Sequence, residues 1–186
     1  NWDFMAKMIK AASFKPRILN LFAYTGGATL ACAQAGAQVT HIDAAKSMNG
    51  WAKENLALSG LEDRPVRILA DDCLKFVQRE QRRGKTYDAI LMDPPSYGRG
   101  PGGEVWKLEE QIYPLVEQCA ALLSDKPLFF IINAYTAGLS PSVMRYILGV
   151  LLEKRFGGTA SADEIGLPVA NSGLTLPCGA TAIWKG

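Results

Sequence analysis

Short apolar runs alternate with longer segments of helical period along most of the chain, the pattern of a parallel sheet covered by helices on both faces. Arg17 to Phe22, Gln38 to Ile42, Val66 to Ala70, Tyr87 to Met92 and Pro127 to Asn133 are the five strand candidates. Each is apolar and most end in a polar residue or a turn, as strands buried on both faces do. Gly27 to Ala35, Ala45 to Leu58, Asp72 to Arg83 and Lys107 to Leu123 carry apolar residues three and four apart, and a further helix is expected from about Ser142 to Lys154. The opening from Trp2 reads as an amphipathic helix. At the far end, Glu164 to Val169 and Ala180 to Lys185 are strand-like, and Asn171-Ser172-Gly173 and Leu176-Pro177-Cys178-Gly179 suit a reversal and an antiparallel edge. The expected fold is α/β and doubly wound, with a seven-stranded sheet that is mostly parallel and has an antiparallel last strand.

At 186 residues and 48% apolar composition, residues 1–186 are expected to form a single domain. The sequence starts at Asn1 without an initiator Met, so a piece of a longer chain lacking its N-terminal part is expected. No apolar run is long enough to span a bilayer. Cys32, Cys73, Cys119 and Cys178 lie far apart with no Cys-x-x-Cys, which disfavours a metal site and a disulfide framework and suits a cytoplasmic location. A formal charge of +2 does not by itself announce a nucleic-acid binder. Arg79, Arg82, Arg83 and Lys85 cluster where a helix should end, where cations meet the negative end of its dipole. The glycine-dense stretch from Gly98 to Gly103 is expected to be a loop, either a substrate lid or an ordinary surface connection.

The strongest local signal is Asn20-Leu21-Phe22-Ala23-Tyr24-Thr25-Gly26-Gly27-Ala28-Thr29, a strand running through a glycine pair into a small-residue helix. Gly26 and Gly27 permit a tight turn and close approach of a ligand. The three-glycine dinucleotide fingerprint and the phosphate loop are both missing, which disfavours a pyrophosphate cradle and with it a nicotinamide-dependent oxidoreductase. Asp43 ends the second strand seventeen positions after Gly26. That is close to the roughly 20 residues at which a ribose-binding acid follows such a turn; a helix N-cap is the competing reading. Asp71-Asp72-Cys73 closes the third strand, where a carboxylate and the next backbone N–H together read adenine.

Phe22-Ala23-Tyr24-Thr25-Gly26-Gly27, His41-Ile42-Asp43-Ala44, Asp71-Asp72-Cys73-Leu74-Lys75-Phe76 and Asp93-Pro94-Pro95-Ser96-Tyr97, in this order, resemble the successive motifs of the class I methyltransferases, which are Rossmann-like. Within them the set is most similar to the branch that includes large-subunit ribosomal RNA methyltransferases of the cytosine-5 type, over about Trp2 to Trp184. The resemblance implies S-adenosyl-L-methionine as cofactor. It also implies that Phe22, Ala23, Tyr24, Thr25, Gly26 and Gly27 line the methionine end, that Asp43 and Ala44 hold the ribose, and that Asp72 and Cys73 read the adenine.

Methyl transfer from a sulfonium is an in-line displacement, so alignment and a water-poor site matter most. Asp93 and neighbouring carbonyls are candidates to accept hydrogen bonds from an amino or ring nitrogen and also to border the cofactor. Pro95 stiffens the rim, and Tyr97 either stacks on a planar base or packs under the following loop. Cytosine-5 enzymes add a Cys thiolate to the ring, from a position after the fourth or fifth strand. Here those places hold Asp93-Pro94-Pro95-Ser96-Tyr97 and Asn133-Ala134-Tyr135-Thr136-Ala137-Gly138, so transfer to a heteroatom of an RNA base, ribosomal RNA by resemblance, is the leading expectation. Cys178 is the one thiol left for a distal loop. A methyltransferase of a small molecule or protein, and a non-catalytic RNA-binding module with a retained cofactor site, are the alternatives. Cys32 and Cys119 read as small apolar helix residues, and His41 as a packing or edge residue.

Overall fold

The computed structural model describes residues 1–99, 105–136 and 138–186. Its elements run α1 (Trp2–Ala11), β1 (Arg17–Leu21), α2 (Gly27–Gln34), β2 (Gln38–Asp43), α3 (Lys46–Leu58), β3 (Val66–Ala70), α4 (Cys73–Arg82), β4 (Ala89–Met92), β5 (Tyr97–Arg99), β6 (Val105–Lys107), α5 (Leu108–Ala120), β7 (Phe129–Ala134), α6 (Pro141–Leu148), a π-helical turn (Gly149–Glu153), α7 (Lys154–Phe156), β8 (Thr159–Pro168) and β9 (Thr175–Lys185). Seven strands form one sheet in the order β3-β2-β1-β4-β7-β9-β8, and β5 pairs with β6 separately. The first five of that order are parallel to one another; β9 runs antiparallel to β7 and to β8.

The central strands β1, β4 and β7 are mostly apolar on both faces because both faces are covered. Ile18, Ala89, Leu91, Phe129 and Ile131 point to the side where Met5 and Ile9 of α1 and Cys32 and Ala33 of α2 pack. Leu19, Leu21, Ile90, Met92, Phe130 and Ile132 point to the other, against Phe76 of α4, Leu115 of α5 and Met144 of α6. This period of two is the property of a strand, and it explains why neither half of each run is polar. The chain leaves β1 toward β2 on one side, while β4 lies on the other. A crevice therefore opens at the carboxyl ends of β1 and β4, where open α/β sheets take their ligands.

A buried polar network ties the first turn of α2 to the sheet. Asn20 of β1 donates to Thr29 Oγ1 at 2.9 Å, and the same hydroxyl lies 2.9 Å from Nδ1 of His41 in β2. His41 is thus a buried packing residue, and burial holds its pKa below the ordinary value. Replacing Thr29 by Val keeps the shape but leaves Asn20 and His41 short of a partner, which should cost about 1–3 kcal/mol in urea unfolding.

The elements follow the expectations closely, and the departures have physical causes. The helix expected from Ser142 to Lys154 is broken into α6, a π turn and α7. The expected Leu176-Pro177-Cys178-Gly179 reversal is not one: those residues lie inside β9, where Ile165 faces Gly179 and Gly166 faces Pro177. Cys178 is the extra residue of a bulge rather than a loop residue, and a proline that cannot donate to the ladder is tolerated at such a place. The reversal is made instead by the segment around Asn171-Ser172-Gly173, closed by Val169 N–H to Leu174 O at 2.9 Å. Of the glycine-dense stretch, Gly98 and Arg99 belong to β5; residues 100–103 lie outside the described residues.

Candidate functional site

Where β1 ends, the backbone is forced into an unusual path. Phe22 and Tyr24 have φ of 53° and 48°, followed by Gly26 at 89°. Left-handed backbone at a non-glycine residue costs on the order of 1–3 kcal/mol and persists only where the surroundings over-determine it. Here three successive N–H groups are captured: Phe22 by the Cys73 sulfur at 3.3 Å, Ala23 by the Ile42 carbonyl at 3.1 Å and Tyr24 by Asp43 Oδ2 at 2.8 Å. Asn55 of α3 completes the clamp by donating to Thr25 O at 2.9 Å. The ends of β2 and β3 therefore shape the loop that leaves β1.

The glycine pair has separate duties within it. Gly26 is the N-cap of α2, where its positive φ turns the chain. Gly27 gives room, since a Cβ there would stand 2.8 Å from the indole of Trp2. The cap position carries no side-chain acceptor for the first N–H groups of α2.

Asp43 is committed on both oxygens to the backbone. Oδ2 takes the Tyr24 N–H and Oδ1 the Ala45 N–H at 2.9 Å, each leaving lone pairs to spare. It precedes α3, whose N-cap is Ala45 rather than Asp43, so the competing reading as the helix cap is not what the structure has. Ala44 beside it is exposed. Asp72 is the N-cap of α4, accepting from Lys75 N–H at 2.8 Å. Asp71 is paired with Arg79, so one member of the basic cluster reaches back to the end of β3; Arg83 pairs with Glu80 at 3.3 Å. Cys73 is buried, and burial keeps its thiol protonated far above the ordinary range; Cys119 is held the same way and Cys32 is pushed up to about 12. A buried thiol held protonated is a poor nucleophile.

Beyond β4, Asp93 donates its N–H to Leu21 O at 3.4 Å and its Oδ2 accepts from the Tyr135 hydroxyl at 3.2 Å. Its Oδ1 is buried and, among the described residues, has no hydrogen-bond partner. Burial raises the carboxyl pKa and the Tyr135 hydrogen bond partly opposes it. The rim is fixed by Trp106, whose Nε1–H reaches Pro95 O at 2.6 Å and whose ring leans on Phe22 with centroids 5.5 Å apart. A second tie joins Thr136 Oγ1 to Ser96 Oγ.

These pieces enclose a cleft of about 270 Å³ lined by Phe22 to Ala28, with Asp93, Asn133, Tyr135 and Trp2. Of the residues expected from sequence, Phe22, Ala23, Tyr24, Thr25, Gly26, Gly27 and Asp93 come together in it. Asp43 and Cys73 stand one hydrogen bond away, behind Tyr24 and Phe22. Ala44 and Asp72 lie farther along the same sheet edge, outside the lining. Pro95 and Tyr97 are exposed on the rim and also lie outside it, Tyr97 in β5 opposite Lys107. Sequence reasoning missed Trp2, Asn133 and Tyr135. The last two lie at or just past the carboxyl end of β7, the edge where such folds bind ligands, and that position was the available signal.

The model of one protein family, the S-adenosylmethionine-dependent methyltransferases, matches residues 5–119, more than half of the chain. The chain belongs to this family. The methyltransferase is 39% identical to the S-adenosylmethionine-dependent methyltransferase from Agrobacterium tumefaciens, with a TM-score of 0.93 over 99% of this chain and 60% of that one. It is 35% identical to the ribosomal RNA large subunit methyltransferase K/L of Marinobacter nauticus over 121 residues, 64% of this chain and 17% of that protein. The methyltransferase thus matches less than a fifth of that relative's length. A Streptococcus mutans protein solved as a candidate methyltransferase shares the fold, at 22% identity and a TM-score of 0.72 over 98% of this chain and 48% of that one. The expected α/β fold, enzyme class and cofactor, S-adenosylmethionine, are borne out.

The start of α2 suits that cofactor: its uncapped N–H groups, at the edge of the cleft, are placed for a ligand end that carries a carboxylate. Among the described residues no group of His, Cys, Asp and Glu could hold a metal ion, and no helix is long and apolar enough to cross a membrane.

Proposed function

We propose that this methyltransferase transfers the methyl group to a nitrogen of an RNA base, with ribosomal RNA as the substrate class. The observation that carries the reading is Asp93, which lines the cleft at the end of β4 and whose Oδ1, among the described residues, has no hydrogen-bond partner. A carboxylate oxygen without a partner is costly, and a turn of the Asp93 side chain as the substrate enters would let an incoming N–H satisfy it. The name of the Marinobacter relative supports the RNA, and the half-exposed Tyr97 and Tyr135 beside the mouth offer faces on which an unpaired base stacks.

In this reading Phe22 to Gly27 hold the methionine end, Asp43 accepts from the ribose hydroxyls beside Ala44, and Asp72 with the Cys73 N–H reads the adenine. When bound, the cofactor supplies an electrophilic methyl on a sulfonium. The chain's share is alignment: Asp93 orients the acceptor nitrogen and draws on its proton, Pro94 and Pro95 keep the rim from yielding, and Tyr97 covers the base. Positioning of this kind accounts for most of what an enzyme can add to an in-line displacement.

The test is transfer of radiolabelled methyl from S-adenosylmethionine to an unmodified large-subunit ribosomal RNA transcript, with nucleoside mass spectrometry of the product. A methylated base with the label on nitrogen supports the reading. Label on carbon, or label only on protein or small-molecule acceptors, overturns it.

A further inference from the structure

Trp2 is placed oddly for a large apolar residue. α1 is fastened to the body by Met5 and Ile9, which are 1% and 3% exposed, whereas Trp2 at the start of the same helix keeps 59% of its surface in water. Its indole is nevertheless held in place. The benzo ring lies against Gly27 at the start of α2, so closely that a Cβ there would stand 2.8 Å from Cζ2 and 3.1 Å from Cη2. Next to it, Asn1 donates through Nδ2 to Asn133 Oδ1 at 2.8 Å and to Thr181 Oγ1 at 3.0 Å, which ties the first turn of α1 to β7 and β9. The indole thus forms one wall of the cleft, beside the uncapped N–H groups that open α2.

We propose that Trp2 is a cofactor-binding residue that covers the amino-acid end of S-adenosylmethionine at the start of α2. This rests on the placement of the methionine end at Phe22 to Gly27 given above. Carboxylate and ammonium sit on one carbon of that end, so a carboxylate received by the first N–H groups of α2 brings the ammonium within reach of the indole set against Gly27. The indole then acts on both charges. It keeps water from the carboxylate, which strengthens the N–H hydrogen bonds in the drier surroundings. Its electron-rich ring attracts the ammonium. Trp2 precedes residues 5–119, so this wall is supplied from outside the stretch that the family model matches.

The test compares the Kd of S-adenosylhomocysteine with that of methylthioadenosine, which keeps the adenosine and the sulfur but lacks the amino-acid end. Trp2→Leu keeps an apolar side chain over Gly27; it should weaken S-adenosylhomocysteine binding about 10-fold and leave methylthioadenosine within about twofold. Trp2→Phe, which restores an aromatic ring, should recover most of the loss. Unchanged S-adenosylhomocysteine affinity in Trp2→Leu overturns the proposal. Equal losses for the two ligands also overturn it, since Trp2 would then be a prop of the whole cleft. Ala28→Asp separates the proposal from the placement it rests on. Ala28 lines the cleft in the first turn of α2, where a helix accepts Asp and where the new charge repels the cofactor carboxylate. A loss confined to S-adenosylhomocysteine in Ala28→Asp, with none in Trp2→Leu, keeps the placement and removes Trp2 from the site. No loss in either variant overturns both.

Discussion

Asp43→Ala is expected to weaken S-adenosylhomocysteine binding by at least about 100-fold, measured by equilibrium dialysis with radiolabelled ligand. Two effects add. The carboxylate is the acceptor proposed for the ribose hydroxyls, and hydrogen bonds to a charged group contribute about 1.5–3 kcal/mol each. The same carboxylate holds the Tyr24 N–H, one of three captures that keep the strained loop after β1 in place. Without it, Tyr24 has less reason to stay at φ 48°, and the wall of the cleft relaxes. About 2.8 kcal/mol corresponds to 100-fold. Asp43→Asn separates the two effects, since the amide oxygen can keep one backbone N–H but not the charge. An intermediate loss in that variant is the expected result, and a loss below about tenfold in Asp43→Ala would show that the ribose is held elsewhere.

Asp93→Asn should lower turnover by about 100-fold or more while changing S-adenosylhomocysteine affinity by no more than about threefold. The size follows from the usual contribution of a side chain that manages a proton at the reacting atom. The division follows from the role proposed for Asp93, a lining residue of the cleft at the end of β4 that acts on the acceptor rather than on the cofactor. The pH profile carries a second signature. Burial raises the Asp93 pKa, with Tyr135 opposing, so kcat/KM for the wild-type protein should climb with rising pH through a midpoint above the ordinary carboxylate range. The ionised form is the acceptor, so activity is lost as the pH falls through that midpoint. In Asp93→Asn the limb should vanish. Parallel losses of turnover and cofactor affinity would assign Asp93 to the cofactor instead.

Much of this was legible in the sequence because each central element announces itself locally. The central runs ending at Leu21, Met92 and Ala134 are mostly apolar on both faces, as covered parallel strands are, and each is followed by a turn or a cap. Gly26, Asp43, Asp72 and Asp93 then fall at successive strand ends, so a linear reading already places them along one edge. What escaped was set by contacts between distant segments. The left-handed backbone at Phe22 and Tyr24 depends on captures by Cys73, Ile42 and Asp43 that no local propensity foretells. Tyr135 reads as an ordinary loop aromatic until β7 is laid beside β4. Trp2 reaches the cleft only because α1 packs on α2 and brings its indole over Gly27. Leu176-Pro177-Cys178-Gly179 reads as a reversal from its turn-forming residues, but it is a bulge inside β9, since β8 begins at Thr159 and is long enough to pair across it.

The central claim is that the strained loop after β1 and the acids that follow it build a pocket for S-adenosylmethionine and not for a dinucleotide. Isothermal titration calorimetry of S-adenosylhomocysteine into the folded chain, with NADH titrated in parallel, tests it without any knowledge of the methyl acceptor. Saturable one-to-one binding of S-adenosylhomocysteine with no heat from NADH is the predicted result. No binding of S-adenosylhomocysteine to a chain shown to be folded, or equal binding of the two ligands, would contradict it.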